Sequence, residues 1–178
     1  VHTHNLAFSD FERSHEPGAA AAPTAFVAEP ATFQGIVRAD GRVATRNYIG
    51  VLTSVNCSAT AARAIADHFR RDIRPEALAD YPNVDGVVAL THGMGCATAS
   101  DGEELRVLRR TLGGYARHAN FAAVLVVGLG CETNQIQGLI AQEGLAEGAK
   151  LVTFNIQDTG GTAKTVANHQ SILRQKLG

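Results

Sequence analysis

The stretch FAAVLVVGLGCETNQIQGLIAQEGL, residues 121–145, contains one complete structural unit of this chain. Its first part, FAAVLVVGL, is a continuous apolar run, which is typical of a strand buried on both faces of a sheet. The Gly-Cys turn ends the strand, and Asn134 predicts the cap of a helix that extends to residue 145. The stretch therefore predicts a buried strand, a glycine-rich turn and a helix, in that order.

The same order of strand and helix recurs four times along the chain. The apolar pattern predicts strands at 47–56, 84–92, 121–129 and 149–157 and helices at 58–71, 100–112, 134–145 and 161–177. Ser100 and Glu103 have the spacing of a capping box at the start of the second helix. Because buried strands that alternate with helices form parallel sheets covered on both sides, we expect an α/β fold. The expected fold is a three-layer, Rossmann-like domain with a mostly parallel sheet and helices on both faces.

The segment before the first strand differs in composition from the rest. Residues 9–33 contain three of the five prolines and a run of four alanines. They show no sustained apolar period, which indicates a linker. Asp40 and Gly41 then predict the turn of a hairpin. We therefore expect a linker at 9–33 and a folded α/β domain over 34–178.

Composition and charge restrict the classes of function. The chain is 45% hydrophobic and 19% charged, with a net charge of −1, so it lacks the basic excess of a protein that binds nucleic acid. No apolar run approaches the ~20 residues that cross a bilayer. No secretory signal peptide is visible, so we expect a cytoplasmic protein with no membrane partner. The three cysteines are an odd number and do not suggest a secreted disulfide framework.

Each cysteine follows a predicted strand. Cys57, Cys96 and Cys131 come after the first, second and third strand, so a parallel sheet would bring them to its carboxyl edge, where open α/β sheets bind ligands. The helix after each cysteine presents a positive dipole end, which lowers the pKa of a nearby thiol. Three converging thiolates suit a metal ion or an iron–sulfur cluster. The alternative is that the cysteines are packing residues, since small buried thiols are common.

Other residues near these turns are candidates for catalysis and binding. His92 and Glu132 lie beside cysteine turns and suit acid–base catalysis. A satisfied polar residue and a helix N-terminal charge are the respective alternatives. His2 and His4 would face the same side of an extended segment and form an alternative metal pair. Contacts to substrate, through a cation or through the backbone of a glycine-rich turn, are predicted at Arg42, Arg46, Gly93, Gly95, Gly130, Gln157, Gly160 and Gly161.

Five segments stand out when the chain is read as a whole. They are VHTHN, GIVRADGRVATRNYIGVLTSVNCSATA, THGMGCATASDGEEL, HANFAAVLVVGLGCETNQ and NIQDTGGT. Together they resemble the altronate/galactarate dehydratase family, and the specific feature is the combination of DGR-x-x-T-RN, two Gly-x-Gly-Cys turns and IQ-x-x-GGT. The resemblance implies that residues 1–8 are the tail of an N-terminal SAF-type domain. It also implies that a C-terminal domain is absent.

The resemblance further implies a metal-dependent dehydratase. Such an enzyme removes water from a hydroxylated sugar acid, such as altronate or galactarate, and gives a 2-keto-3-deoxy acid. The cofactor would be iron, as Fe²⁺ or an iron–sulfur cluster, or another divalent metal such as Mn²⁺ or Mg²⁺. Cys57, Cys96 and Cys131 could hold it, and no general base is identified.

The expected partners follow from the same resemblance. They are a small sugar-acid substrate, a second copy in a homodimer, and either the absent domains or a partner subunit. We expect the isolated chain to have weak or no activity. Two alternatives stay open: a non-catalytic domain that binds an organic anion, and a subunit of a split lyase that acts on a related hydroxy acid.

Overall fold

The computed structural model describes residues 25–177, with side chains up to residue 174. The chain divides into two compact units, residues 1–33 and 34–178. The described part of the first unit, residues 25–33, has no helix or strand, and its apolar side chains, such as Phe26, are exposed. The predicted domain tail at 1–8, much of the predicted linker, and His2 and His4 lie outside the described residues.

A short hairpin opens the second unit. Its strands are β1 (Ile36–Val37) and β2 (Val43–Ala44), and they pair antiparallel. Gly41 adopts a left-handed φ of 81°, and its N–H donates to the carbonyl of Arg38 at 2.9 Å. The predicted hairpin turn at Asp40 and Gly41 is therefore confirmed.

The main sheet has four parallel strands. These are β3 (Tyr48–Thr53), β4 (Gly86–Leu90), β5 (Phe121–Gly128) and β6 (Leu151–Asn155), in the spatial order β4-β3-β5-β6. Each neighbouring pair is parallel, which confirms the predicted α/β class. The central strands are the most apolar because both of their faces are covered.

Four helices cover the two faces of this sheet. They are α1 (Ala59–Asp67), α2 (Glu103–Ala116), α3 (Ile136–Glu143) and α4 (Thr162–Leu177). Residues of α1 and α4, such as Ile65 and Leu173, form one core cluster with Val51 of β3. Residues of α2 and α3, such as Leu108 and Leu139, form a second cluster on the opposite face. The predicted three-layer arrangement is therefore confirmed.

Two predicted helix caps are wrong. Helix α2 begins at Glu103 after Gly102, and no side chain caps it, so Ser100 and Glu103 do not form a capping box. The residue before α3 is Gln135 rather than Asn134. Asn134 is fully buried and its side chain bonds to other elements. Tertiary hydrogen bonds of a buried amide outweigh the local preference for a capping position.

The strand order creates a switch point between β3 and β5. The chain leaves β3 toward α1 on one face and leaves β5 toward α3 on the other face. In open α/β sheets, ligands bind in the crevice at such a point, outside the carboxyl ends of the strands. In the described part of the chain, no helix has the length and apolarity needed to cross a bilayer.

Candidate functional site at the carboxyl edge of the sheet

The three cysteines lie in the loops that leave the carboxyl edge of the sheet. Cys57 sits in a single 3-10 turn, Asn56–Ser58, directly before α1. Cys96 follows β4, and Cys131 follows β5. All three are free and exposed, so they are not core packing residues. Cys57 and Cys131 flank the switch point, and Cys96 belongs to the loop beside it.

The thiols influence one another. The Cys57 thiol donates a hydrogen bond to Oδ1 of Asn56 at 3.7 Å, and the Cys96 and Cys131 thiols are near enough to raise its pKa. The pKa of Cys57 is raised first by the neighbouring Cys96 thiol, then by burial and by the like charges of the other two thiols. The expectation that the following helix lowers the thiol pKa is therefore wrong for Cys57, because the neighbouring thiols and burial raise its pKa overall.

The donor set decides which metals fit this edge. Thiols are the ligands that iron–sulfur clusters and other thiophilic metals prefer, whereas Mg²⁺ and Mn²⁺ prefer carboxylate and carbonyl oxygens. Within residues 25–177, no three His, Cys, Asp or Glu side chains form a group that could hold a metal ion. Cys131 instead accepts a hydrogen bond from Nε2 of Gln157 at 3.3 Å. The chemistry of the thiols fits a thiophilic metal, and Cys131 would have to exchange this contact to join Cys57 and Cys96.

Glu132 is a buried carboxylate that shapes the Cys131 loop. It is 3% exposed. Its oxygens accept hydrogen bonds from Ser54 Oγ at 2.7 Å and from the backbone N–H groups of Leu129 and Gly130 at 3.0 and 2.6 Å. Burial raises its pKa, but the Ser54 hydroxyl and the backbone N–H groups outweigh burial and lower the pKa overall. Glu132 therefore stays ionised and joins the β3 and β5 loops across the switch point.

Asn134 links four parts of the site, and it was not among the predicted site residues. Its Nδ2 donates to the Ser54 carbonyl at 2.8 Å, and its Oδ1 accepts from Nε of Arg109, on α2, at 2.9 Å. Its backbone N–H donates to the Gly95 carbonyl at 3.2 Å. The sequence carries no signal for this role, because a capping asparagine and a buried one both lie between a strand and a helix.

The predicted glycines separate into two groups. Gly95 and Gly130 have φ values of 98° and 123°, and a Cβ on either would lie 2.6 Å from an oxygen: the Ser54 carbonyl for Gly95 and Oε1 of Gln157 for Gly130. These two glycines let neighbouring loops touch. Gly93 and Gly161 have no atom within 4 Å of an added Cβ, and Gly160 meets only the side chain of Lys164. Gly160 and Gly161, both with positive φ, form the turn between β6 and α4.

His92 is held by both of its ring nitrogens. Nε2 lies 2.9 Å from the Thr53 carbonyl, and Nδ1 accepts from the backbone N–H of Met94 at 3.2 Å. A carbonyl only accepts and an N–H only donates, so these partners assign a neutral ring with its proton on Nε2. His92 therefore fixes the turn of residues 92–95, and neither nitrogen is free to take a proton from a substrate in this arrangement.

Arg42 and Arg46 lie at the opposite edge of the sheet. Both precede β3, whereas the cysteine loops follow its carboxyl end, and a six-residue strand spans about 20 Å. Arg42 bonds to Asp40 and to the carbonyl of Arg117, and Arg46 bonds to the carbonyl of Thr45. The structure thus does not bring these arginines to the site, because they belong to the hairpin at the amino edge.

Comparison with known proteins identifies the family. Residues 35–178 match the model of the family described as "D-galactarate dehydratase/Altronate hydrolase, second domain". Altronate dehydratase of Escherichia coli K12 is 36% identical over 99 residues, which cover 56% of this chain and 19% of the relative. Altronate dehydratase of Bacillus subtilis 168 is 32% identical over 108 residues, which cover 61% of the chain and 20% of the relative.

A third relative is a galactarate dehydratase rather than an altronate dehydratase. Galactarate dehydratase (L-threo-forming) of Escherichia coli K12 is 41% identical over 110 residues, again 61% of this chain and 20% of the relative. No solved structure matches the chain significantly. The chain thus spans about a fifth of the length of the curated relatives it matches. Because the family model covers most of its length, the chain belongs to the D-galactarate dehydratase/altronate hydrolase family.

Proposed function

We propose that this chain is the α/β domain of a metal-dependent hydro-lyase. The reaction is removal of water from a hydroxylated sugar acid of the altronate or galactarate type, with a 2-keto-3-deoxy acid as product. Family membership supports the class of reaction. The observation that carries the location is the presence of three exposed thiols at and beside the switch point of the sheet.

The cysteines are the proposed metal ligands. Cys96 and Cys131 both lie near enough to Cys57 to raise the pKa of its thiol. When bound, an iron ion or iron–sulfur cluster would supply a Lewis acid for the leaving hydroxyl group. The donor set favours iron over Mg²⁺ or Mn²⁺, because the buried Glu132 already accepts three hydrogen bonds and is closed to a hard cation.

Backbone N–H groups beside the thiols are the proposed contacts for the substrate carboxylate. Within the described residues, the N–H groups of Cys96 and Cys131 donate to no backbone or side-chain acceptor. Two such donors beside the switch point suit an anionic oxygen. Gly95 and Gly130 directly precede these two cysteines, and both have positive φ values that glycine adopts readily.

The general base is proposed to come from outside this chain. His92 uses both ring nitrogens, and Glu132 is buried with its oxygens occupied. Because the chain spans about a fifth of its relatives, the remaining parts of a longer protein, or a partner subunit of a split lyase, would supply that base. The isolated chain is accordingly expected to bind the substrate anion and to turn over slowly or not at all.

A non-catalytic domain that binds an organic anion is the second candidate function. The observation in its favour is that, in the part of the chain described here, no metal-ready group of three side chains is present. In that case the thiols would be inert, and the N–H groups of the Gly-x-Gly-Cys turns would be the whole site. Metal content separates the two candidates directly.

The test is anaerobic purification followed by metal analysis and a visible absorption spectrum. The dehydratase proposal expects iron and a broad visible band in the wild type, and loss of both in Cys96→Ser. Met94→Leu is the matched control, because Met94 lies in the same turn and its side chain is exposed. Metal-free wild-type protein after anaerobic loading with iron and sulfide would refute the thiol site and leave the anion-binding domain.

A further inference from the structure

His68, at the end of α1, lies between two arginines that come from different parts of the chain. Arg74, in the loop after α1, places NH1 2.7 Å from Nδ1 of His68. Arg174, on α4, places NH2 2.9 Å from Nε2 of the same ring. Both guanidinium groups therefore point their N–H donors at one imidazole.

This arrangement has fewer hydrogen-bond acceptors than donors. A guanidinium group only donates hydrogen bonds, and a neutral imidazole has one N–H and one lone pair. The ring can therefore accept from Arg74 or from Arg174, but not from both, and a protonated ring accepts from neither. At least one arginine N–H consequently faces another donor and requires an acceptor from outside the protein.

Neither arginine of the cluster has a close ion-pair partner in the part of the chain that the structure describes. Within the described residues, every ion pair under 4 Å involves other arginines, and none reaches Arg74 or Arg174. The pKa of His68 is lowered by burial first and then by the charges of these two arginines, with Glu76 opposing them. The imidazole thus experiences a net positive surrounding field.

Two cavities open onto this cluster. One has a volume of about 240 Å³, and its lining includes His68, Arg74, Arg174, Glu76 and Asp80. The second, about 220 Å³, shares His68 and Arg174 with the first and is lined also by Gln170 and Ser171. The arginines offer donors for an anionic oxygen, while the carboxylates and the polar side chains of α4 offer partners for hydroxyl groups.

We propose that the cluster of His68, Arg74 and Arg174 binds a small oxyanion, the phosphate or carboxylate group of a hydroxylated metabolite. The anion would accept from both guanidinium groups and supply the acceptor that the imidazole cannot. This site is separate from the cysteine loops. Helix α1 begins beside Cys57 and has nine residues, so about 14 Å of helix lies between them. The inference therefore does not depend on the proposed dehydratase reaction.

The test is a titration of the chain with inorganic phosphate and, separately, with gluconate, followed by NMR of the His68 ring. We expect a saturable shift with a Kd on the order of 1 mM and a rise in the His68 pKa, because the bound anion offsets the two cations. Tighter binding of phosphate would identify a phosphorylated ligand, and tighter binding of gluconate would identify a hydroxylated carboxylic acid.

Charge-removing variants make the test specific. Arg74→Gln and Arg174→Gln should each weaken the preferred anion roughly tenfold or more. Arg110→Gln is the matched control, because Arg110 is an exposed arginine on α2, which covers the other face of the sheet. Since all three side chains are exposed, the variants should keep the fold, which circular dichroism would verify. Absence of saturable binding by both anions, or unchanged affinity in either cluster variant, would overturn the proposal.

Discussion

The substitution Gly95→Ala tests whether the loop after β4 requires a glycine at this position because it packs against backbone atoms. Gly95 is buried and has a φ of 98°, a conformation that residues with a side chain rarely adopt. An added Cβ would lie 2.6 Å from the Ser54 carbonyl oxygen and 3.1 Å from the Val55 Cα. Both obstacles are backbone atoms of the β3 loop, so they cannot rotate away as a side chain would.

Two terms determine the size of the effect. A left-handed φ costs a residue with a Cβ about 1–2 kcal/mol. Overpacking against atoms that cannot move freely costs about 1–3 kcal/mol more. The free energy of unfolding should therefore fall by roughly 2–5 kcal/mol, a large part of the ~5–15 kcal/mol that a typical domain possesses.

Gly93→Ala is the matched control, two residues earlier in the same loop. An added Cβ at Gly93 meets no atom within 4 Å, and its φ lies outside the left-handed range. Gly93→Ala should therefore change stability by no more than about 1 kcal/mol, in either direction. The assay is urea unfolding of both variants followed by circular dichroism. Equal midpoints for Gly95→Ala and the wild type would refute the close approach of the β3 and β4 loops.

Three further predictions concern buried polar groups. Glu132→Gln should lower the free energy of unfolding by about 1–3 kcal/mol, because an amide donor would face backbone N–H groups; a wild-type urea midpoint would contradict this. Asn134→Ala should cost a similar amount, because the Ser54 carbonyl and Nε of Arg109 lose the side-chain amide that joins them; an unchanged urea midpoint would count against that link. Burial lowers the pKa of His169, although a hydrogen bond to the Thr165 carbonyl partly opposes this shift. As the pH falls below ~6.5, the histidine of the unfolded chain therefore binds a proton before the histidine of the folded chain does. Wild-type stability should therefore fall by up to ~1.4 kcal/mol per pH unit in that range, and His169→Gln, followed by urea unfolding at several pH values, should remove this slope.

The residue patterns predicted the fold class and the edge that carries the cysteines, but not the bonds that assemble that edge. Apolar runs identified all four strands of the main sheet, although the predicted boundaries extended past each of them. The capping predictions at Ser100 and Asn134 failed, because a pattern of neighbouring residues cannot show whether a polar side chain will be buried. Glu132 was predicted as a site residue, but the sequence pattern could not predict that it is buried and bonded to Ser54.

The arginines of the hairpin also show that residue type alone does not predict where a side chain lies in the fold. Arg42 and Arg46 resemble substrate ligands when only residue type is considered. Their position before β3 places them at the amino edge, and the bond from Arg42 to the Arg117 carbonyl joins the hairpin to the end of α2. Only the direction of the strand, together with that contact, separates them from the cysteine loops.

The sequence by itself determined the alternation of strand and helix, because burial of an apolar run and the periodicity of a helix are local properties. It also determined that each cysteine follows a strand, which in a parallel sheet assigns all three to one edge. The tertiary structure decided the order β4-β3-β5-β6 and hence the position of the switch point. It also decided which loops touch, because the bond between Ser54 and Glu132 joins residues 78 positions apart, and such a contact exists only after the helices have packed on opposite faces.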